Sequence, residues 1–447
     1  MPSVKTAARR SPKSLLPLVL TSPRTRAARR WLAERRRRLR REPHRVHYFH
    51  QLDDPYGQLA AQILAELVAR FDVELVPELV GPPPDSAAPE RAKLEVYARR
   101  DAADVAPGFG LAFPEGAKAP DPALVARAQA VLASPRASAE FAIAAPRVGS
   151  ALWRGDAAGL EALAGELGAV DPAWARARVE AGNALRAKLG HYLGAMFHYG
   201  GEWYWGVDRL EHLERRLDSL GARRPGTERG PIARRPAFGA PPARSGASAR
   251  LALEFYPSLR SPYTYIAMER VYELARRQPV ELVLRPVLPM VMRGLPVPRA
   301  KQLYITLDTK REAEDAGVPF GRVADPVGRP VERAFSLYPW ARERSRAPEL
   351  LLSFARAAFA EGVDTGSDAG LRFVVERAGL AWDEARGHLD GDGWRAELEQ
   401  NRLAMFELGL WGVPSFCLRD AAGNALYSTW GQDRLWRVEQ EIERLAR

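Results

Sequence analysis

The sequence predicts an α/β protein built from two similar halves in tandem. The hexamer at 430–435 repeats the hexamer at 205–210 at five of six positions, and each lies between an apolar, strand-like segment and an amphipathic helical run. A second pair of similar segments, 48–56 and 255–263, occurs in the same order. A long internal period of this kind sets the architecture of a chain. We therefore expect two copies of one fold, each large enough to bury its own core.

Most of the positive charge lies in the first 45 residues. They hold 15 Lys and Arg against 2 Asp and Glu, whereas the whole chain of 447 residues has a net charge of +11. The rest of the chain is therefore close to neutral, which disfavours a nucleic-acid surface on the domains themselves. We interpret residues 1–44 as a basic N-terminal arm that is a solvated helix or a disordered segment. Contact with anionic lipid or nucleic acid is the alternative.

Cysteine usage and hydropathy favour a cytoplasmic protein. Cys417 is the only cysteine, so the chain can form no intrachain disulfide and contains no Cys-x-x-Cys motif. A reducing compartment is the default for such a chain, and Cys417, in a predicted strand, is interpreted as a buried, inert thiol. No apolar run reaches the roughly 18 residues needed to span a bilayer. The run at 15–20 contains Pro17 and is short for the apolar region of a signal peptide.

Residues 45–220 form the first predicted domain. An apolar segment at 46–51 predicts a strand, and Pro55 opens a helix in which apolar residues recur with helical spacing. A second strand and a long helical stretch to about residue 189 follow. The domain closes with two short strands and a helix. The predicted strands after the first are 73–76, 196–199 and 202–205.

Residues 221–248 are rich in Gly, Pro and Arg and predict a linker before the second domain, 249–447. The second domain begins with an alternating strand at 251–256 and ends with a hairpin and a helix. Both copies therefore show the order β-α-β, helical block, β-β-α. This order is that of a thioredoxin-like core with a helical insertion after its first half.

Ser261, followed by Pro262, stands where the first strand of the second copy leads into a helix. Serine is a preferred N-cap and proline a preferred first helical residue, so a purely structural role is one interpretation. A capping serine still has a hydroxyl hydrogen to donate to an anion, such as a thiolate, at the positive end of the helix. The first copy has Asp54 here, an equally good cap whose carboxylate has no hydrogen to donate. The chemistry is therefore expected in the second copy only.

Pro414 opens a strand of the second copy. Proline at this position can simply mark the edge of a sheet. In a thioredoxin core it would be cis and would leave the backbone of the preceding residue free to pair with an extended peptide. The first copy has no proline at the corresponding segment, 194–196. That copy is expected to lack the feature, because a cis bond without proline costs roughly 3 kcal/mol or more.

Gly431 permits a tight turn before the last helix. The amides that follow it lie at a helix N-terminus and can hold a ligand carboxylate, and Asp433 can accept a hydrogen bond from a ligand ammonium. An aspartate favoured only by the helix dipole is the alternative.

His44, His47 and His50 are evenly spaced, but their segment predicts a strand and offers no carboxylate or cysteine partner. No metal site is predicted.

The second half resembles a known family at these residues. Residues 251–447 resemble the kappa-class glutathione transferases and the 2-hydroxychromene-2-carboxylate isomerases, within the DsbA-like thioredoxin superfamily. A weaker likeness extends to 45–220. The matching segments of the second half, in order, are 255–265, 285–288, 317–320, 410–416 and 430–435.

The resemblance implies a glutathione site. In that family the serine of the Ser-Pro-Tyr motif stabilises the glutathione thiolate, which assigns this role to Ser261. The Val-Pro backbone holds the glutathione cysteine, and the turn before the last helix binds the γ-glutamyl end. Glutathione would then supply the thiol that the sequence lacks. The implied binding residues are Val413, Pro414, Gln432 and Asp433, and the implied substrate contacts are Tyr263 and Lys301.

The expected function is that of a glutathione-dependent transferase or isomerase with one working site. Its second substrate is expected to be a small molecule, such as an aromatic or hydrophobic electrophile. The segment at 289–295 is shorter than in the isomerases, which changes the substrate pocket. The alternatives are a non-catalytic binding module of the same fold, and a protein that is classed with DsbA-type oxidoreductases by fold but lacks Cys-x-x-Cys. The two copies are also expected to pack as an internal pseudo-dimer.

Overall fold

The structure is a computed structural model that describes residues 10–239 and 251–446. Its contacts divide the chain into two compact units. The N-terminal unit contains 27–236 and 298–301, and the C-terminal unit contains the other described residues.

The N-terminal unit contains a four-stranded sheet in the order β2-β1-β3-β4. β1 pairs with β2 in parallel, whereas β3 is antiparallel to both β1 and β4. Tyr48 of β1 stacks on Phe197 of β3 with ring centroids 4.8 Å apart. The strands are β1 (His44–His50), β2 (Val73–Leu79), β3 (Met196–Tyr199) and β4 (Glu202–Trp205).

Several helices in the first half begin with an Asp-Pro pair. Asp54, Asp121 and Asp171 each precede a proline and accept a hydrogen bond from a backbone amide of the first turn. Aspartate satisfies an amide that the helix leaves unpaired, and proline has no amide to satisfy. The helices are α1 (Leu15–Thr21), α2 (Pro23–Leu39), α3 (Pro55–Ala61), α4 (Leu64–Arg70), α5 (Arg91–Val105), α6 (Pro122–Leu132), α7 (Ser138–Trp153), α8 (Ala157–Leu167), α9 (Pro172–Lys188) and α10 (Leu210–Asp218).

The C-terminal unit contains a second sheet with the corresponding strand order, β6-β5-β7-β8. β5 pairs with β6 in parallel and with β7 in antiparallel, and β8 completes a hairpin with β7. Phe255 of β5 stacks on Phe416 of β7, with ring planes 7° apart, inside a fully buried apolar core. The strands are β5 (Leu251–Tyr256), β6 (Val280–Leu284), β7 (Ser415–Arg419) and β8 (Ala425–Trp430).

A block of helices is inserted between the second and third strands of each sheet in chain order. In the second half this block begins after β6 and ends before β7. The helices of the second half are α11 (Pro262–Arg277), α12 (Arg299–Asp315), α13 (Arg329–Ser336), α14 (Tyr338–Glu343), α15 (Ala347–Arg356), α16 (Asp368–Arg377), α17 (Trp382–Ala385), α18 (Trp394–Glu407) and α19 (Leu435–Leu445). The predicted α/β class, with a helical insertion in each four-stranded unit, is confirmed. Descent of the two units from a tandem duplication stays a prediction.

The described part of the N-terminal arm differs from the expectation of a solvated segment. It forms two helices, of which residues 10–26 belong to the C-terminal unit and the rest to the N-terminal unit. Within the C-terminal unit, Thr21 donates a hydrogen bond to the carbonyl of Gly321 at 3.2 Å. Within the N-terminal unit, Arg30 forms a 2.8 Å ion pair with Glu202. The arm therefore packs on folded structure through directed polar contacts.

The described part of the predicted linker, 221–239, contains no helix or strand. Its first part contacts the N-terminal unit, where the guanidinium of Arg70 donates to the carbonyl of Gly230 at 2.8 Å. Its last described residue, Gly239, donates its amide to Glu439 within the C-terminal unit at 2.7 Å. The remainder of the predicted linker lies outside the described residues. None of the helices within 10–239 and 251–446 is long and apolar enough to cross a membrane.

Candidate active site

Ser261 is the N-cap of α11, as its position before a proline predicts. Its backbone is extended, and its Oγ accepts a hydrogen bond from the amide of Thr264 at 3.1 Å. The same hydroxyl lies 3.5 Å from the carbonyl oxygen of Val413, at the upper limit of hydrogen-bond length. The structure therefore brings Ser261 and Val413, which are 152 residues apart in sequence, together at one edge of the second sheet.

The segment that carries Val413 is fixed from both sides. The Val413–Pro414 peptide bond is cis, as expected. The carbonyl of Pro414 accepts a hydrogen bond from the amide of Gly431 at 2.9 Å, and Ser415 donates its hydroxyl to the carbonyl of Gly412 at 2.6 Å. The turn before the last helix is thus tied directly to the strand that Pro414 opens.

Gly412 and Trp430 form a close contact that the sequence analysis missed. A Cβ atom added at Gly412 would lie 2.1 Å from the indole ring of Trp430, so only glycine fits at this position. Trp411, the preceding residue, lies with its ring centroid 6.0 Å from that of Trp430. The indole therefore packs directly against the backbone that leads to Val413. In the sequence, the only signal of this contact is a glycine beside Trp411 in one predicted loop and a second tryptophan at the end of the following hairpin.

Gln432 is buried and its side chain is held by the protein. Its carbonyl oxygen accepts from the guanidinium of Arg270 at 3.0 Å, and its amide donates to Glu312 at 2.8 Å and to Asp433. Gly431, with φ of +122°, forms the turn before it. Gln432 thus bonds its neighbour Asp433, and Arg270 and Glu312 are partners that the sequence did not suggest.

Tyr263 forms a second polar contact with the helical insertion. Its hydroxyl donates to Asp308 Oδ2 at 2.7 Å, and Arg311 donates to the other oxygen of the same carboxylate at 3.0 Å. Asp308 is fully buried, whereas Tyr263 is half-buried. Asp308, Arg311 and Glu312 all lie on α12, and the last two follow Asp308 by three and four residues, which places them near it on the helix surface. The cluster of charged residues on α12 was visible in the sequence. Its hydrogen-bond partners Tyr263 and Gln432 were not.

Lys301 is not grouped with the unit that carries Ser261. It belongs to the N-terminal unit, where its Nζ donates to the carbonyl of Ala87 at 2.9 Å. Burial lowers the pKa of its ammonium to about 8. The family resemblance had suggested a substrate contact for Lys301, and that contact stays a prediction. In the structure its ammonium bonds a backbone carbonyl of the N-terminal unit.

The N-terminal unit repeats the backbone of this arrangement with different side chains. Asp54 caps α3 and accepts from the amide of Tyr56 at 3.0 Å. Burial raises the pKa of the Asp54 carboxyl group to about 7. The carbonyl of Ala195 accepts from the amide of Gly206 at 2.7 Å, as that of Pro414 does in the other unit. Serine and proline are therefore replaced while the capping and the turn contact are kept.

A Tyr-Asp hydrogen bond is also present in both units. Tyr56 donates its hydroxyl to Asp101 at 2.7 Å, and each Tyr-Asp pair spans 45 residues. In the N-terminal unit, Tyr97 donates to the second oxygen of the same carboxylate at 2.9 Å. In each unit, the tyrosine in the first turn of the helix after the first strand therefore bonds an aspartate of the helical insertion.

The single thiol lies away from solvent. Cys417 is fully buried on β7.

The three evenly spaced histidines contact separate partners: His44 bonds Tyr199, His47 bonds a glutamate and His50 bonds a tyrosine. Among the described residues there is no group of three or more potential metal ligands.

Comparisons with known proteins define the class of the second half. Residues 252–443 match the model of the DSBA-like thioredoxin domain. Those residues therefore form a DSBA-like thioredoxin domain, as the sequence resemblance predicted. No curated protein matches the sequence significantly.

Several solved structures are similar to part of the chain. A 2-hydroxychromene-2-carboxylate isomerase is 21% identical with a TM-score of 0.37, and the match covers 44% of this chain and 96% of that one. A probable DsbA oxidoreductase from Streptomyces coelicolor is 22% identical with a TM-score of 0.34, over 44% and 90%. A cytosolic disulfide reductase, DsbM, from Pseudomonas aeruginosa solved with GSH is 18% identical with a TM-score of 0.31, over 43% and 96%.

Proposed function

We propose that the C-terminal unit binds glutathione and uses its thiol in a transferase or isomerase reaction on a small aromatic or hydrophobic molecule. The observation that carries this proposal is the position of the Ser261 hydroxyl. It caps a helix of 16 residues and lies beside the carbonyl of Val413 at 3.5 Å. Because the cap uses a lone pair of the oxygen and the second contact is long, the hydroxyl hydrogen is available to a thiolate.

The electrostatics of this position favour a thiolate over a thiol. A free thiol has a pKa near 8.5, so little thiolate exists at neutral pH. A hydrogen bond to a charged group contributes roughly 1.5–3 kcal/mol, which corresponds to about one to two units of pKa. The N-terminus of α11 adds a favourable dipole. Ser261 is therefore the group that would hold the sulfur atom in its reactive form.

The remaining residues fit a short peptide with a charged amino-acid end. The backbone at Val413 can pair with an extended peptide, as the edge of a sheet does. Asp433 and Glu312 supply carboxylates next to the turn at Gly431, which suits the ammonium of a γ-glutamyl group. The side chain of Gln432 already bonds three protein groups, so its part in binding would come from its backbone amide.

Glutathione, when bound, would supply the reactive thiol. The sequence has one cysteine, and it is buried, so a dithiol mechanism cannot come from this chain. The residues of the C-terminal unit would then bind the peptide, orient the sulfur toward the second substrate and keep it ionised. Tyr263, whose hydroxyl is fixed by Asp308, would present its ring toward that substrate.

Thermal stabilisation by glutathione and the ultraviolet absorbance of its thiolate test this proposal. The wild-type protein should be stabilised by about 2.7 kcal/mol at 100 times the dissociation constant and should show thiolate absorbance at neutral pH. Ser261→Asp copies the cap of the N-terminal unit and removes the donor. This variant should lose the thiolate absorbance, and any conjugating activity should fall by at least about tenfold. Asp54→Ser, which changes the matching residue of the other unit, should change neither.

Three outcomes are distinguishable. Binding without thiolate absorbance would identify a binding module without this chemistry. Full absorbance in Ser261→Asp would show that Ser261 is only a helix cap. No stabilisation by glutathione or by S-methylglutathione would refute the site as a whole.

A further inference from the structure

The outward face of α2 combines exposed apolar side chains with exposed arginines. Trp31 is 60% exposed, Leu32 is 42% exposed and Leu39 is 74% exposed. Arginines 35, 36 and 38 are also exposed and recur between them with helical spacing. We call these six residues the basic face. A tryptophan and two leucines exposed on one helix are unusual for a surface that contacts only water.

The inward face of the same helix fixes its orientation on the N-terminal unit. Arg30 donates to both carboxylate oxygens of Glu202, the first residue of β4. Glu34, the only acidic residue of α2, is 8% exposed. It accepts from Arg37, from Arg38 of the basic face at 3.3 Å, and from Tyr199 at 3.4 Å. The single negative charge of the helix is therefore turned inward, and the face that is turned outward carries cations and apolar groups only.

We propose that the basic face binds the surface of a bilayer that contains anionic lipid. A helix with Trp and Leu among arginines lies in the plane of a membrane interface, with its apolar side chains at the acyl boundary and its cations among the headgroups. The guanidinium of Arg35 lies 5.1 Å from the centroid of the Trp31 ring, so the aromatic ring and the charge form one contact surface.

The apolar content of the basic face favours lipid over nucleic acid as the partner. A nucleic-acid surface needs cations for phosphates, and its affinity gains little from an exposed leucine such as Leu39. This proposal does not depend on the glutathione site, which lies in the C-terminal unit.

Sedimentation with lipid vesicles tests the proposal on the full-length protein. Vesicles of phosphatidylcholine with one-third phosphatidylglycerol should bind it at low salt, and pure phosphatidylcholine should not. Each arginine near an anionic surface contributes about fivefold in affinity, so replacing Arg35, Arg36 and Arg38 together by Gln should weaken binding by roughly 100-fold. Trp31→Ala combined with Leu32→Ala should weaken it by at least about tenfold.

Trp174→Ala is the matched control, because Trp174 is 55% exposed on α9 of the same unit. It should bind vesicles as the wild type does, and circular dichroism should show that all variants keep the wild-type helix content. Failure of the wild-type protein to bind the anionic vesicles would overturn the proposal. So would normal vesicle binding by the Trp31/Leu32 variant together with tight binding of a DNA duplex, which would identify a nucleic-acid surface.

Discussion

The carboxyl group of Asp54 allows a quantitative test of how the first turn of α3 is packed. Burial raises its pKa to about 7 from an ordinary value of 3.8, and the hydrogen bond from the amide of Tyr56 acts in the opposite direction. The folded state therefore keeps a proton that the unfolded chain releases between about pH 4 and pH 7. For an acid whose pKa is raised on folding, stability falls as the pH rises through this window and stays low above it.

Replacing Asp54 by Ser should remove this pH-dependent penalty and keep the helix cap. A shift of about 3 units corresponds to at most about 4 kcal/mol, at 1.36 kcal/mol per unit. We expect Asp54→Ser to be more stable than wild type by about 2–4 kcal/mol at pH 8.5 and to differ from it by less than about 1 kcal/mol at pH 4. In a unit of about 200 residues, each kcal/mol moves the melting temperature by roughly 2–4 °C.

Calorimetric melting of the full-length protein between pH 4 and pH 8.5 measures this difference. Asp53→Ser is the matched control, because it removes one acidic group at the neighbouring position and changes the net charge equally. Because the charge of Asp53 also raises the pKa of Asp54, although less than burial does, this control should reproduce only a small part of the pH-dependent gain. A stability difference between Asp54→Ser and wild type that is the same at both ends of the pH range would refute the reasoning, because it would show that folding leaves the pKa of Asp54 unchanged.

Three further predictions concern packing. Tyr263→Phe leaves a buried carboxylate without one of its donors, so it should destabilise the C-terminal unit by about 1–3 kcal/mol, and Tyr56→Phe should have a similar effect on the other unit; chemical unfolding measures both. Gly412→Ala should lower the melting temperature by several degrees because the added methyl group meets an indole ring, whereas Gly387→Ala, where a Cβ has open space, should be neutral. Deletion of residues 1–26 should also lower the melting temperature, because it removes the buried contact of Thr21 and the ion pair of Arg26 with Glu314; an unchanged melting temperature would show that these contacts do not stabilise the fold.

The fold could be predicted because its signals are local and periodic. Apolar alternation locates the strands, Asp-Pro and Ser-Pro pairs locate helix starts, and the repeated hexamers show that the pattern occurs twice. Ser261 was recognisable for the same reason, since a cap and the following proline are adjacent in sequence. The partners of the site were not recognisable: Gln432 and Glu312 are 120 residues apart, and the contact of Gly412 with a tryptophan depends on strand pairing. Lys301 was assigned from the family resemblance, and no local signal indicated its partner Ala87.

The two helix starts show why one unit is expected to hold a thiolate and the other is not. Both need an acceptor for the first-turn amides, and both Ser261 and Asp54 provide it. A thiolate needs a donor as well. Above pH 7 Asp54 is a carboxylate, which has no hydrogen to give and repels a second anion. Below pH 7 it gains a hydrogen, but a free thiol with a pKa near 8.5 is then itself protonated. The serine hydroxyl keeps its hydrogen across this whole range, so we infer that above pH 7 only the C-terminal unit has a capping side chain that can donate to a thiolate.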